Sequence, residues 1–293
     1  MKTMVVFGAS GFVGAHIVRL AHNNHYRVVA VDRAIVPGIA DVEWVAADVC
    51  DRGAVMDVIT EAEPAAVMNA AAIADIDYAE RNRDDAWNVN VVGAENIAKA
   101  AKAVGARQLF ISSDAVFSGE AERYVEEDPL EPVNFYGSTK AEAERRLLDL
   151  DPNCIIVRLS LVLGFPIAGG NSFLASLHNK LVSGTTVSAP VYETRTPIDV
   201  QTLIRCVLEL VDSNRFGVFH IGAREPASRF EVTRKLAEMM GFDPDTVSSV
   251  TEPPPDRCPR HRNGFICVDK AMAALETPLL SIRETLKRAC ATG

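Results

Sequence analysis

The segment GASGFVG (Gly8–Gly14) constrains this chain more than any other. It follows a short apolar, β-branched run, Lys2–Phe7, and opens a helical pattern that begins at Gly11 and runs to about Asn23. Its glycines are spaced G-x-x-G-x-x-G, not G-x-G-x-x-G. Glycine there permits a tight turn, close backbone approach to a pyrophosphate and close helix–strand packing. The helix N-terminus adds free N–H groups and the positive end of its dipole. A second β run, Arg27–Val31, ends at Asp32, 18 residues after Gly14. A glycine triplet alone marks any tight turn. Strand, loop, helix, strand and acid in this order point to a dinucleotide. Gly8, Ser10, Gly11, Phe12, Val13 and Gly14 would meet the phosphates, and Asp32 the ribose hydroxyls. Asp32 favours NAD, because a carboxylate repels a 2′-phosphate. Arg33 leaves NADP open, since a guanidinium pairs with phosphate, although a solvated surface charge is its simpler reading.

The alternation continues along the chain. Val42–Ala46, Ala65–Met68 and Gln108–Ile111 read as strands, and 51–62 and 84–104 as helices. A helix follows YGSTK to about Leu150, then a strand at Cys154–Arg158. Apolar strands separated by helices imply a parallel sheet covered on both faces, a Rossmann-type doubly wound α/β fold. Beyond this point the alternation loosens. Asn171–Val182, Val200–Asp212, Ser228–Met240 and Pro278–Ala289 read as helices and Val218–Ile221 as a strand. The prolines of TEPPPDRCPR (251–260) make it a loop. The expected division is a dinucleotide-binding domain over 1–160 and a smaller substrate lobe over 161–293, with some segments returning to the sheet.

Net charge is −9 and no basic tract occurs, which argues against nucleic acid or an anionic membrane as partner. The apolar run before the glycines is too short for a signal sequence. No stretch approaches the roughly 18 apolar residues of a membrane span. The 6 cysteines lack CxxC spacing and fit reduced thiols. A cytoplasmic protein is expected.

Several segments carry a family resemblance. The G-x-x-G-x-x-G loop with a later Tyr-x-x-x-Lys resembles the extended short-chain dehydrogenase/reductase superfamily. NAAAIADIDYAE (69–80), WNVNVVGAENIAKAA (87–101), ISSDAVFSG (111–119), VRLSLVLG (157–164) and PRHRNGFICVDKAMAAL (259–275) resemble segments of the dTDP-4-dehydrorhamnose reductase family. The resemblance implies that Asp48 and Val49 lie beside the adenine, that Asn69, Ala70, Ala71 and Ala72 line the cofactor, and that Asn90 stiffens the helix near the active site. Taken alone, Asn69 and Asn90 read as caps or helix-surface residues.

Tyr136 and Lys140 are one turn apart on a predicted helix and share a face. Reducing a ketone needs a hydride on carbon and a proton on oxygen. A tyrosine delivers that proton if its pKa is lowered, and a nearby ammonium lowers it. The resemblance further implies that Lys140 bonds the nicotinamide ribose and that Ser113 holds the substrate carbonyl against Tyr136. Ser112 is the weaker candidate and belongs to the strand end, where it would border the cofactor. The sequence departs from the reductase pattern at Ala115, where a tyrosine is usual, and its loop from Ser113 to Tyr136 is one residue shorter. Sugar-nucleotide dehydratases of the superfamily carry an Asp-Glu pair here. Asp114 is followed by Ala115, so that pair is incomplete.

A nucleotide sugar brings a diphosphate and needs cations. Arg195, Arg257 and Arg260, with His261 and Arg262 beside them, are candidates, and Asp114 is a candidate substrate contact. A solvated basic patch is the alternative. His220 reads as structural, Glu126-Glu127-Asp128 as a solvated acid cluster with no metal, and Phe165 and Tyr192 as packing or stacking groups. The expectation is an NAD(P)H-dependent reductase of a 4-keto nucleotide-activated deoxysugar. The alternatives are a nucleotide-sugar epimerase, and a non-catalytic subunit like the regulatory subunit of methionine adenosyltransferase. A homodimer is a superfamily expectation.

Overall fold

The computed structural model describes residues 1–36, 42–167, 171–255 and 257–291. The first half is the expected alternation: β1 (Thr3–Phe7), α1 (Phe12–Asn23), β2 (Arg27–Asp32), β3 (Glu43–Ala46), α2 (Arg52–Ala62) and β4 (Ala66–Asn69). Then come α3 (Ile76–Arg81), α4 (Arg83–Trp87), a π turn (Asn88–Gly93), α5 (Ala94–Ala103), β5 (Arg107–Ser113), α6 (Phe135–Leu150) and β6 (Ile155–Leu159). Side chains alternate across β1. Met4 and Val6 join the core under α1, while Val5 and Phe7 join a second core under α2 and α5. A strand buried on both faces reads as continuously apolar for this reason.

The second half contains β7 (Val162–Leu163), α7 (Phe173–Val182), β8 (Val187–Pro190), β9 (Thr194–Arg195), β10 (Ile198–Asp199), α8 (Val200–Asp212), β11 (Gly217–Ile221), β12 (Ala227–Ser228) and α9 (Arg229–Met239). β13 (Val247–Val250), β14 (Asn263–Gly264), α10 (Asp269–Ala274) and α11 (Ile282–Cys290) complete it. The central sheet has 7 parallel strands in the order β11-β6-β5-β4-β1-β2-β3. β11 and α8 therefore return to the first half. α7, α9, α11, β8 and β13 pack a separate core around Leu174, Leu177, Leu236 and Leu286.

Helix starts follow local chemistry. Ser228 and Ser281 form capping boxes with Glu231 and Glu284. Asn134 caps α6 by accepting from Gly137 N. Each such cap is worth about 1 kcal/mol. Several features differ from the sequence expectation. The expected helix 84–104 is divided by the π turn at Asn88–Gly93, and α10 was not anticipated. The last helix starts at Ile282, at its Ser281 cap, and not at Pro278. The helix α3 and the parallel pair β8–β13 were not anticipated. The proline-rich segment holds no helix or strand among its described residues; Asp256 lies outside them.

Candidate active site

Strand order reverses between β1 and β4, and the glycine loop lies at that switch point, where open α/β sheets bind ligands. Gly8 has φ +75°, and a Cβ there would come within 2.5 Å of Ala71 N. A Cβ on Gly14 would overlap the Gly8 carbonyl oxygen. No side chain caps the N-terminus of α1, so its N–H groups are free to meet an anion. The cleft is lined by Gly8, Ser10, Gly11, Asp32, Arg33, Asp48, Val49, Ala70, Ala71 and Ala72. Val31, Ala47, Ile73 and Val89 line it too and were missed. They neighbour the polar candidates in sequence, which was the available signal. Phe12 and Val13 pack their side chains on the core, so only their backbone can serve a phosphate.

Asp32 accepts hydrogen bonds from Ser10 N (3.0 Å) and Ser10 Oγ (2.6 Å), which pins the loop to the end of β2. Asn69 accepts from Ala71 N at 3.1 Å. Asn90 is fully buried in the π turn, a distortion that recurs at functional sites. Its amide accepts from Ile73 N (2.8 Å) and donates to Ile73 O (3.1 Å) and Thr139 Oγ1 (2.9 Å). It thus joins the cleft loop to α6. These features fit a dinucleotide: a backbone cradle without Cβ atoms, a free helix N-terminus and a carboxylate at the end of β2.

Ser113 ends β5, and Tyr136 and Lys140 stand on the first turns of α6. α6 approaches so closely that a Cβ on Gly137 would overlap the Ala115 carbonyl oxygen. Burial pushes the Tyr136 phenol up to about 12, against a hydrogen bond with Ser113 and helped by the Asp114 charge. Burial pulls Lys140 down to about 7, opposed by Glu144. Its ammonium donates to Ile111 O at 2.6 Å and sits 3.9 Å from the Phe110 ring centroid. The phenol is thus raised by burial, not lowered as expected from the lysine.

Ser112 faces the other way. Its hydroxyl bonds Glu144, which forms a buried ion pair with Arg158 at 2.7 Å. This corrects its placement at the cofactor: the alternation of β5 turns its side chain into the interior. Arg158 in turn contacts the Glu126 carbonyl and His220 Nε2. Burial and then Arg158 push His220 down to about 3.

Asp114 is buried, with its carboxylate near Ser160 Oγ (2.6 Å), His261 Nε2 (3.1 Å) and Arg195 Nε (3.8 Å). Burial would raise its pKa, but His261 and then Arg195 reverse this and hold it down at about 2. Arg195 is buried and also reaches Glu193 (3.4 Å), which takes Arg257 at 2.6 Å. Arg229, not anticipated, stacks on Phe173 and has a buried Nε without a partner among the described residues. Arg260 departs from its expected place among the phosphate-binding cations. It bonds Asp77 (2.8 Å) and the Cys258 carbonyl (2.7 Å), tying its loop to α3. Arg262 O accepts from Thr194 N. Phe165 packs edge-on to His178 in the lobe core, and the buried Tyr192 hydroxyl lacks a partner. Among the described residues no cluster of His, Cys, Asp or Glu could hold a metal, and no helix is long and apolar enough to cross a membrane.

A family model described as RmlD substrate binding domain matches residues 1–293. A dTDP-4-dehydrorhamnose reductase of Mycolicibacterium smegmatis is 29% identical over 295 residues, covering 99% of this chain and 85% of that protein. The methionine adenosyltransferase 2 subunit beta of Bos taurus is 27% identical over 269 residues, covering 89% and 79%. A solved structure titled a hypothetical dTDP-4-dehydrorhamnose reductase from Sulfolobus tokodaii aligns with TM-score 0.84 at 28% identity, covering 96% and 97%. The dTDP-4-dehydrorhamnose reductase of Bacillus anthracis, in complex with NADP, aligns with TM-score 0.90 over 100% and 99% of the two chains; at 24% identity it shows the fold.

Proposed function

Because this chain belongs to the RmlD substrate binding domain family, we propose that it is an NAD(P)H-dependent reductase of a 4-keto group on a nucleotide-activated deoxysugar. One observation carries the reading: at the carboxyl end of β5 the Ser113 hydroxyl lies near enough to the Tyr136 phenol to act on its pKa, beside a cleft with the features of a dinucleotide site. When bound, the nicotinamide supplies the hydride. The chain supplies the rest. Burial raises Tyr136 to about 12, so it is protonated at neutral pH; giving that proton to the carbonyl oxygen would draw on Ser113 and the Lys140 ammonium to stabilise the phenolate left behind. Ser113 orients that oxygen. Lys140 holds its ammonium one helical turn below the phenol, and the resemblance gives it the ribose. Arg257 and Arg229 would offer guanidinium groups to a diphosphate.

The test is stoichiometric. Protein given NADH and a dTDP-4-keto-6-deoxysugar should consume one NADH per sugar reduced. Sugar conversion without NADH loss would instead make it an epimerase. Tyr136→Phe should lower kcat by about 10³-fold with NADH affinity unchanged. Neither NADH loss nor sugar conversion would overturn the enzyme reading and favour a binding subunit.

A further inference from the structure

The imidazole of His261 lies in a space that two glycines leave for it. Gly119 has φ +83°, and a Cβ there would reach 2.7 Å from Arg262 N and 2.8 Å from His261 Cβ. A Cβ on Gly264 would stand 2.8 Å from His261 Nε2 and overlap Asp114 Oδ2. The loop carrying His261 is fastened on both sides of the ring. Asn134, the cap of α6, donates to Pro259 O at 3.1 Å, and Asn263 N donates to Gly119 O at 3.3 Å. His261 is only 3% exposed. Its Nε2 is 3.1 Å from Asp114 Oδ2, and the other oxygen of that carboxylate accepts from Ser113 Oγ at 3.2 Å. Ser113 is the hydroxyl near enough to the Tyr136 phenol to act on its pKa. A chain of contacts therefore runs from His261 through Asp114 to Ser113 and the phenol.

We propose that His261 is a positioning residue of the reaction: held by Gly119 and Gly264, it fixes the Asp114 carboxylate and through it the Ser113 hydroxyl. This rests on the reductase reading for its kinetic arm only. Asp114 has other partners in Ser160 and Arg195, but these approach the oxygen that His261 also contacts. Without the imidazole the carboxylate can rotate towards Arg195 and carry Ser113 with it. Displacing a positioned group by about 1 Å costs about 100-fold in rate.

The experiment uses His261→Ala, His261→Gln and Gly264→Ala in the full chain. In NADH-free protein, hydrogen exchange at the Ala115 amide, which donates to Ser113 Oγ at 3.2 Å, should accelerate in His261→Ala and Gly264→Ala and stay near wild type in His261→Gln. This arm needs no turnover, so it stands even if the wild type reduces no 4-keto sugar. In the kinetic arm, His261→Ala and Gly264→Ala should each lose about 100-fold in kcat with the KM for NADH unchanged. His261→Gln should recover most of it, and the double variant should be no worse than either single. Wild-type Ala115 exchange in the folded His261→Ala variant, or a glutamine no better than alanine, overturns the proposal. Gly264→Ala guards against a misfolded His261→Ala, since it reaches the same pair from another loop.

Discussion

In the dinucleotide cleft the turn is lined by residues with little or no side chain, Gly8, Gly11 and Ala70–Ala72, beside the open end of α1. Around Asp114 the interactions run between side chains. Asp114, Glu193, Arg195 and Arg257 are bound to one another, and the active-site helix is anchored by Glu144 and Arg158. Backbone surfaces depend on where Cβ atoms are missing, so single changes there act sharply and locally. Charged networks depend on partners far apart in sequence, so removing one member strands another.

That contrast can be broken in three ways. The largest effect is expected at Glu144, whose pair with Arg158 is almost wholly enclosed, with side-chain exposure of 1% and 4%. Glu144→Ala leaves a buried guanidinium unpaired and should cost about 3–5 kcal/mol in denaturant unfolding; a loss under 1 kcal/mol would show that the network is not what holds α6. Next is the pH dependence of stability. Lys140 has a folded pKa near 7 against 10.5 unfolded, so the unfolded chain binds the extra proton between those values. Wild-type stability should rise with pH across that window relative to Lys140→Met; equal slopes would mean that the lysine is solvated. The smallest effect is expected at the exposed rim of the cleft. Asp32→Ala removes one charge near the expected 2′ position and should shift preference from NADH towards NADPH by roughly fivefold, read from the ratio of kcat/KM values. A change in NADH affinity alone would mean that Asp32 acts only through its bonds to Ser10.

The same contrast governs what was legible. The doubly wound sheet was readable because it is written locally, in apolar strands and turn glycines, and the cleft residues fell together for the same reason. Ser113, Tyr136 and Lys140 could be singled out because a strand end and a helix turn carry them. Arg260 was misplaced because its partner, Asp77, is 183 residues away. Ser112 was assigned to the wrong side because two adjacent serines at a strand end look alike until the register of β5 against β6 fixes which one turns inward. The pair β8–β13 escaped because its strands are 4 residues each and far apart in sequence.

Asn90 gives the two regions a common mechanical element. Its single amide spans from the chain at Ile73 to Thr139, between Tyr136 and Lys140 on the same helix. Three direct hydrogen bonds make the arrangement act as a strut. Displacement of the cleft loop loads the helix that carries Tyr136 and Lys140, and displacement of the helix loads the loop.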